Sequence, residues 1–239
     1  MSGLKRWLIL AAALVGMAVT ASLGVWQWGR AQERLGLQAA IEERGNQLEV
    51  DVAELLGAKD PATLQHRQVV LRGQWVPERT VFLDNRQMRG RPGFYVVTPL
   101  KLEGRGESVL VQRGWAPRNF NQRDALPPVE TPPGAVDVRG RLAPPPAKLY
   151  AFDGKEEGAI RQNLDLAAFR AESGLNLLPL SVQQVGAASE GLLREWPQAA
   201  SGADKNYGYA AQWWAMSALI LILYVWFQLV VPYRKAQRA

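Results

Sequence analysis

Two stretches with no charged side chain bracket this 239-residue chain, at residues 7–29 and 206–233. A helical crossing of a bilayer core takes about 20 consecutive, mainly apolar residues, and both stretches reach that length. The polar part between them is expected to fold as a domain on one side of a membrane, with both chain ends on the other. The short flanks set the orientation. Lys5 and Arg6 precede the first stretch; Arg234, Lys235 and Arg238 follow the second. Positive residues in short flanks stay cytoplasmic, whereas a long loop translocates largely regardless of its charge. Trp26, Trp28, Tyr207, Tyr209, Trp213 and Trp214 fit an outer aromatic belt, and Trp7, Trp226 and Tyr233 an inner one.

A cleaved signal peptide shares the basic start and the apolar run. The run here is longer than a signal core, and GVWQW at 24–28 is a poor cleavage tail, so a retained anchor is expected. The six residues ahead of the span leave no room for an amphipathic transit peptide, which points to a bacterial inner membrane. The expected division is a cytoplasmic 1–6, a first span at 7–28, a periplasmic β-rich domain at 29–208, a second span at 209–231 and a cytoplasmic tail at 232–239.

Within the middle, 30–44 (RAQERLGLQAAIEER) continues the first helix, and 51–56 forms a short helical turn. Period-two alternation then predicts strands at 67–75, 79–85, 93–102, 108–115 and 136–142, a helix at 164–173 and a last strand at 177–185. Residues 72–77 (RGQWVP) and 113–117 (RGWAP) look alike, as two strand ends built the same way. Residues 186–204 read as an exposed linker. The fold class expected is an α+β membrane protein: two terminal transmembrane helices flanking an antiparallel β-rich external domain, barrel-like or a curved sheet, with one or two short helices.

The chemistry available is sparse. There is no cysteine and one histidine, His66, which excludes multi-histidine and thiolate metal sites. No G-x-S-x-G occurs, Gly104-Arg105-Gly106 lacks the frame of a phosphate loop, and Glu156 and Glu157 fall in a Gly-rich turn. These absences weigh against an enzyme. The net charge of +6 comes from arginines interleaved with acids rather than from a lysine-rich tract, so nucleic acid is not an expected partner.

Two sets of residues rise above this background. Residues 84–93 (DNRQMRGRPG) read as a loop carrying Arg86, Arg89 and Arg91, planar forks suited to carboxylates. An ordinary hairpin with solvated arginines fits the same residues. Ala12, Gly16, Thr20 and Gly24 make a small-residue face on the first span, as do Ala211 and Ala215 on the second, and such faces let membrane helices approach closely. Gln27, Gln212 and Gln228 are costly in lipid and are expected to face protein.

Four motifs carry a likeness to a known family: LGVWQWGR at 23–30, GRPGFYVVTPL at 90–100, VLVQRGW at 109–115 and YAAQWW at 209–214. In this order, between two spans, they resemble the surfeit locus family of cytochrome c oxidase assembly proteins. The resemblance implies a non-enzymatic assembly factor that stabilises the oxidase catalytic subunit during haem a insertion, alongside other assembly factors and the lipid bilayer. It also implies a second reading, a carrier that binds haem a directly, with transient haem a as its cargo. A histidine just before the second span would then be the expected ligand, and Asn206 stands there instead. His66 and Met88 are the remaining candidate ligands. Partner contacts are expected from Trp26, Gln27 and Arg30, from Arg86, Arg89 and Arg91, and from Tyr209, Gln212 and Trp213. A membrane-anchored periplasmic enzyme is a third reading. A copper chaperone lacks the soft ligands it would need.

Overall fold

The computed structural model describes residues 3–119, 122, 125–149, 158–197 and 202–237. Glu156, Glu157 and Arg238 lie outside them. The chain divides into two compact units, residues 40–197 and the two ends, 1–39 with 198–239.

The larger unit is built around a β-sheet. Helix α2 (Val52–Gly57), the short turn expected at 51–56, precedes strand β1 (Gln68–Trp75), which alternates exposed and buried positions and so sends Val69, Leu71 and Trp75 inward. β2 (Val81–Met88), β3 (Arg91–Leu102), β4 (Glu107–Pro117) and β5 (Ala135–Ala143) follow, then a two-residue β6 (Ile160–Arg161), helix α3 (Leu166–Ser173) and β7 (Asn176–Gln184). The hydrogen-bonded order runs β1-β5-β7-β4-β3, and the end of β3 pairs back to the end of β1, so five strands close a barrel. Closure needs a glycine: a Cβ at Gly73 would sit 2.3 Å from the Lys101 carbonyl oxygen. β3 is long enough to serve two neighbours on one edge. Its first half pairs with β2 and its last residues, 100–102, with β1.

The expected barrel-like, β-rich domain is present, but it is not wholly antiparallel. β4 pairs with β7 in parallel, and β2 with β6. Parallel neighbours require a crossover rather than a tight turn, and α3 lies on the path that brings the chain back into β7. Asp165 caps α3 by accepting from the amides of Ala167 and Ala168, and Gly174 ends it in the left-handed region at φ 70°. Phe169 of α3 packs with Leu83, Val97, Leu110 and Leu177 on the outer side of the sheet. That covering explains why β4 is buried along nearly its whole length, on both faces. The barrel interior holds Val69, Leu71, Leu100, Val109, Val111, Leu142, Leu180 and Val182.

The second unit consists of helices. α1 (Gly3–Gly45) is one uninterrupted helix, as its sequence led one to expect, although its last residues belong with the barrel unit. α4 (Ala203–Val225) passes through a π-helical turn, Trp226–Val230, into α5 (Val231–Ala236). Pro232 accounts for that turn. It has no amide hydrogen to donate, and its ring crowds the carbonyl four residues back, so the backbone widens and the Val231 amide reaches Trp226 instead. Both helices are long and apolar enough to cross a membrane, and they expose Leu8, Leu14, Val15, Val19, Leu219, Leu221, Ile222 and Leu223 over most of their surfaces.

Candidate functional site

The helices in the end unit run antiparallel and touch through small residues. Gly16 approaches Ile220, and Gly24 is covered by the indole of Trp214, which would lie 2.3 Å from a Cβ at that position. Thr20, between them, is buried and donates its hydroxyl to the Gly16 carbonyl at 2.8 Å. Ser217 donates to the Met17 carbonyl at 3.3 Å across the pair. The small face on the first helix is therefore at the contact from Gly16 to Gly24, while Ala12 is exposed. On the second helix the expected alanines lie off this contact. Ala203 and Ala210 are buried, whereas Ala211 and Ala215 face outward. They lie one and five positions past Ala210, and a step of one rotates a helix by about 100°.

At one end of this pair the polar and aromatic side chains converge. Asn206 donates its carboxamide to Gln27 at 2.6 Å, and Gln32 donates to the Tyr207 hydroxyl at 3.1 Å. Trp28 sits between Tyr207, edge-on at 4.7 Å, and Trp214 at 5.9 Å. Gln27 therefore does face protein. Trp26, Tyr209 and Gln212 remain exposed, Tyr209 by 52%, and Trp213 is half-buried. Arg30 pairs with Glu33 one turn on, at 2.8 Å.

The three arginines expected in one exposed loop are separated by the strands. β2 and β3 extend through most of 84–93, leaving a tight turn in which Arg89 and Gly90 take φ of 51° and 73°, the left-handed pair of a two-residue hairpin. Asn85, at φ 57°, marks a bulge where the β2–β3 register shifts. The bulge turns Arg86 inward: it is 6% exposed, donates to the Gln162 carbonyl at 2.9 Å and lies over the Tyr95 ring at 5.9 Å. Arg86 is thus a packed residue and no part of a free surface. Burial raises the Tyr95 phenol above its usual pKa, and the Arg86 charge offsets part of that rise. Arg89 forms a two-point ion pair with Glu195. Only Arg91 of the three is exposed without a hydrogen-bond or ion-pair partner among the described residues.

A network that the sequence did not announce lies on the barrel. Arg113 is wholly buried. Its guanidinium pairs with Glu190 at 3.1 Å, donates to Thr131 at 2.7 Å and to the Glu130 carbonyl at 2.5 Å, and lies over Trp75 at 4.6 Å. The two look-alike segments therefore meet, the arginine of one on the tryptophan of the other. Arg194 shares Glu190 and donates to the Arg113 carbonyl. Residues 186–197, expected as an exposed linker, are instead strapped down. Leu193 and Trp115 exchange backbone hydrogen bonds, Leu192 is buried, and Trp196 donates to the Gln184 carbonyl while packing edge-on against Tyr95. The strap was hidden because its signal is a few long-range contacts rather than a period.

The candidate haem ligands do not converge. His66 lies ahead of β1, beyond the Leu102 end of β3, while Met88 is buried opposite Arg91 at the other end of β3. Burial and the charges of Arg141 and Arg44 lower the His66 pKa, which favours neutral imidazole, and among the described residues no group of three or more His, Cys, Asp or Glu side chains gathers to hold a metal. Asn206 is engaged by Gln27, and a carboxamide does not replace imidazole at haem iron. These residues do not fit a haem site.

The SURF1 family model matches residues 14–218, which takes in most of the first apolar helix, the first part of the second and the whole barrel. Among curated proteins the chain is similar to a "SURF1-like protein" of Rickettsia felis, at 28% identity over 47% of this chain and 46% of the relative. It is similar to "Surfeit locus protein 1" of Arabidopsis thaliana, at 30% over 50% of the chain and 36% of the relative. It is also similar to "Cytochrome oxidase assembly protein SHY1" of Saccharomyces cerevisiae, at 28% over 39% and 24%. The chain spans less than half the length of these relatives. With the family match extending over well more than half of its residues, the chain belongs to the SURF1 family.

Proposed function

We propose that this protein is a non-enzymatic assembly factor for cytochrome c oxidase, anchored in a bacterial inner membrane by α1 and the α4–α5 helix. Both ends would lie in the cytoplasm and the barrel in the periplasm. The observation that carries this reading is the pair of apolar helices with almost no burial of their outer faces. A soluble protein does not leave such surface in water, and lipid or another membrane protein would cover it. The similarity to an oxidase assembly protein of yeast supports the choice of partner.

The partner would be the oxidase catalytic subunit, met by the exposed Trp26, Tyr209 and Gln212 along the helices and by Arg91 at the β2–β3 hairpin. Binding to an incomplete state stabilises it by mass action and ceases to matter once the partner matures. Haem a would be inserted into that partner while it is held, without a ligand from this chain.

A deletion strain tests the proposal. Assembled oxidase activity and haem a content should fall while synthesis of the oxidase subunits continues. Normal activity in a strain lacking every copy of the gene would contradict it.

A further inference from the structure

The inner ends of the two helices carry cations without acids. No Asp or Glu occurs before Glu33 or after Asp204. The contacts of Gly24 with Trp214 and of Gly16 with Ile220 set the two helices antiparallel. That direction carries the chain toward Lys5 and Arg6 on one helix and toward Arg234 on the other at the same end of the pair. All three cations are exposed, with no hydrogen-bond or ion-pair partner among the described residues. Trp7, 71% exposed, and Trp226 stand beside them on their own helices.

Arg234 is nevertheless held in place, with its guanidinium 5.5 Å over the Trp226 ring. In a regular α-helix a residue eight positions on is turned by about 80°, and one seven positions on lies nearly above the first. The π-helical turn absorbs one extra residue, so Arg234 occupies the place that position 233 would otherwise take. Pro232 thus does more than end a helix. It swings one arginine onto the tryptophan and presents the guanidinium beside an indole, where an interfacial tryptophan meets lipid headgroups.

We propose that this end of the helix pair is a site for an anionic phospholipid, with the lipid phosphate held by Arg234 together with Lys5 and Arg6 and the glycerol region against Trp226. The inference rests on the membrane reading above. A zwitterionic headgroup offers the same phosphate but brings its own cation, which the three uncompensated charges repel.

Full-length protein, equilibrated in detergent with equimolar phosphatidylglycerol and phosphatidylcholine of the same acyl chains, is examined intact by native mass spectrometry. Retained phosphatidylglycerol should exceed phosphatidylcholine, and Arg234→Gln should cut that excess about fivefold, the usual weight of one cation at an anionic surface. Pro232→Ala keeps the charge and removes the π-helical turn, and should cut it nearly as much. Equal retention of the two lipids, or an undiminished excess in Arg234→Gln, overturns the site. An undiminished excess in Pro232→Ala overturns the part assigned to the turn. Alkaline carbonate extraction of native membranes separates the two readings: protein that stays in the pellet leaves the membrane reading standing when the lipid preference fails, and protein that washes off overturns both.

Discussion

Gln27 and Asn206 meet carboxamide to carboxamide across the two apolar helices, at 2.6 Å. This contact closes the position where the family resemblance led one to expect a haem-ligating histidine. Protein purified from haem-a-producing cells should therefore show no stoichiometric Soret band. Absorbance per polypeptide is the measurement. A stoichiometric pigment on the unaltered chain would restore the carrier reading.

The Gly24 contact predicts a sharp asymmetry between two glycines on one helix. Gly24→Ala places a methyl against Trp214 and should lower stability by about 1–3 kcal/mol, the usual cost of overpacking. At Gly29 the added Cβ meets nothing within 4 Å, so Gly29→Ala should be neutral or slightly stabilising. Thermal unfolding in detergent, followed by circular dichroism, distinguishes the pair.

Arg113 should be the most sensitive charged residue of the barrel. Arg113→Leu removes the cation over Trp75 and leaves Arg194 as the remaining ion-pair partner of Glu190 among the described residues. A loss of about 3–5 kcal/mol is expected, as for other broken buried pairs. Glu190→Gln, which leaves two neighbouring guanidiniums uncompensated, should also destabilise, whereas Arg91→Gln should change the urea midpoint little. A small effect at Arg113 would show that the strap over residues 186–197 is held mainly by its backbone bonds and Leu192.

His66 predicts a defined acid sensitivity. Burial, then Arg141 and Arg44, hold its pKa below the ordinary 6.5. The unfolded chain therefore takes up a proton first as the pH falls. Stability from this residue is full above about 6.5, declines as pH drops toward the folded-state value and is flat below it. His66→Asn tolerates the left-handed backbone at φ 76° and should flatten that part of the profile. Urea midpoints between pH 7.5 and 5 are the measurement.

How much of this could be read beforehand depended on the range of the signal. Long apolar runs gave both helices, and alternation gave β1 through β5, because each is local. The β4–β7 pairing escaped, since a parallel neighbour leaves no turn to read. Arg86 was misplaced for a related reason. The residues DNRQMRGRPG have turn composition throughout, but only Arg89 and Gly90 make the turn, and a bulge at Asn85 sends the next arginine inward. At the helix pair, the choice between Ala210 and Ala211 depends on helical phase, which an apolar sequence without a polar face does not fix. Asn206 was legible as a departure from the family pattern, but its partner Gln27 was not, being 179 positions away.

The proposed contact runs from the exposed faces of the helix pair and the hairpin to the oxidase catalytic subunit during its maturation. A photo-crosslinking residue placed at Tyr209 or at Arg91, both exposed, tests it in native membranes. Adducts with the oxidase catalytic subunit, more abundant when haem a synthesis is blocked than when it proceeds, are the predicted result. Adducts with lipid alone at Tyr209 and none with any oxidase subunit at Arg91, in cells that are actively assembling oxidase, would contradict it.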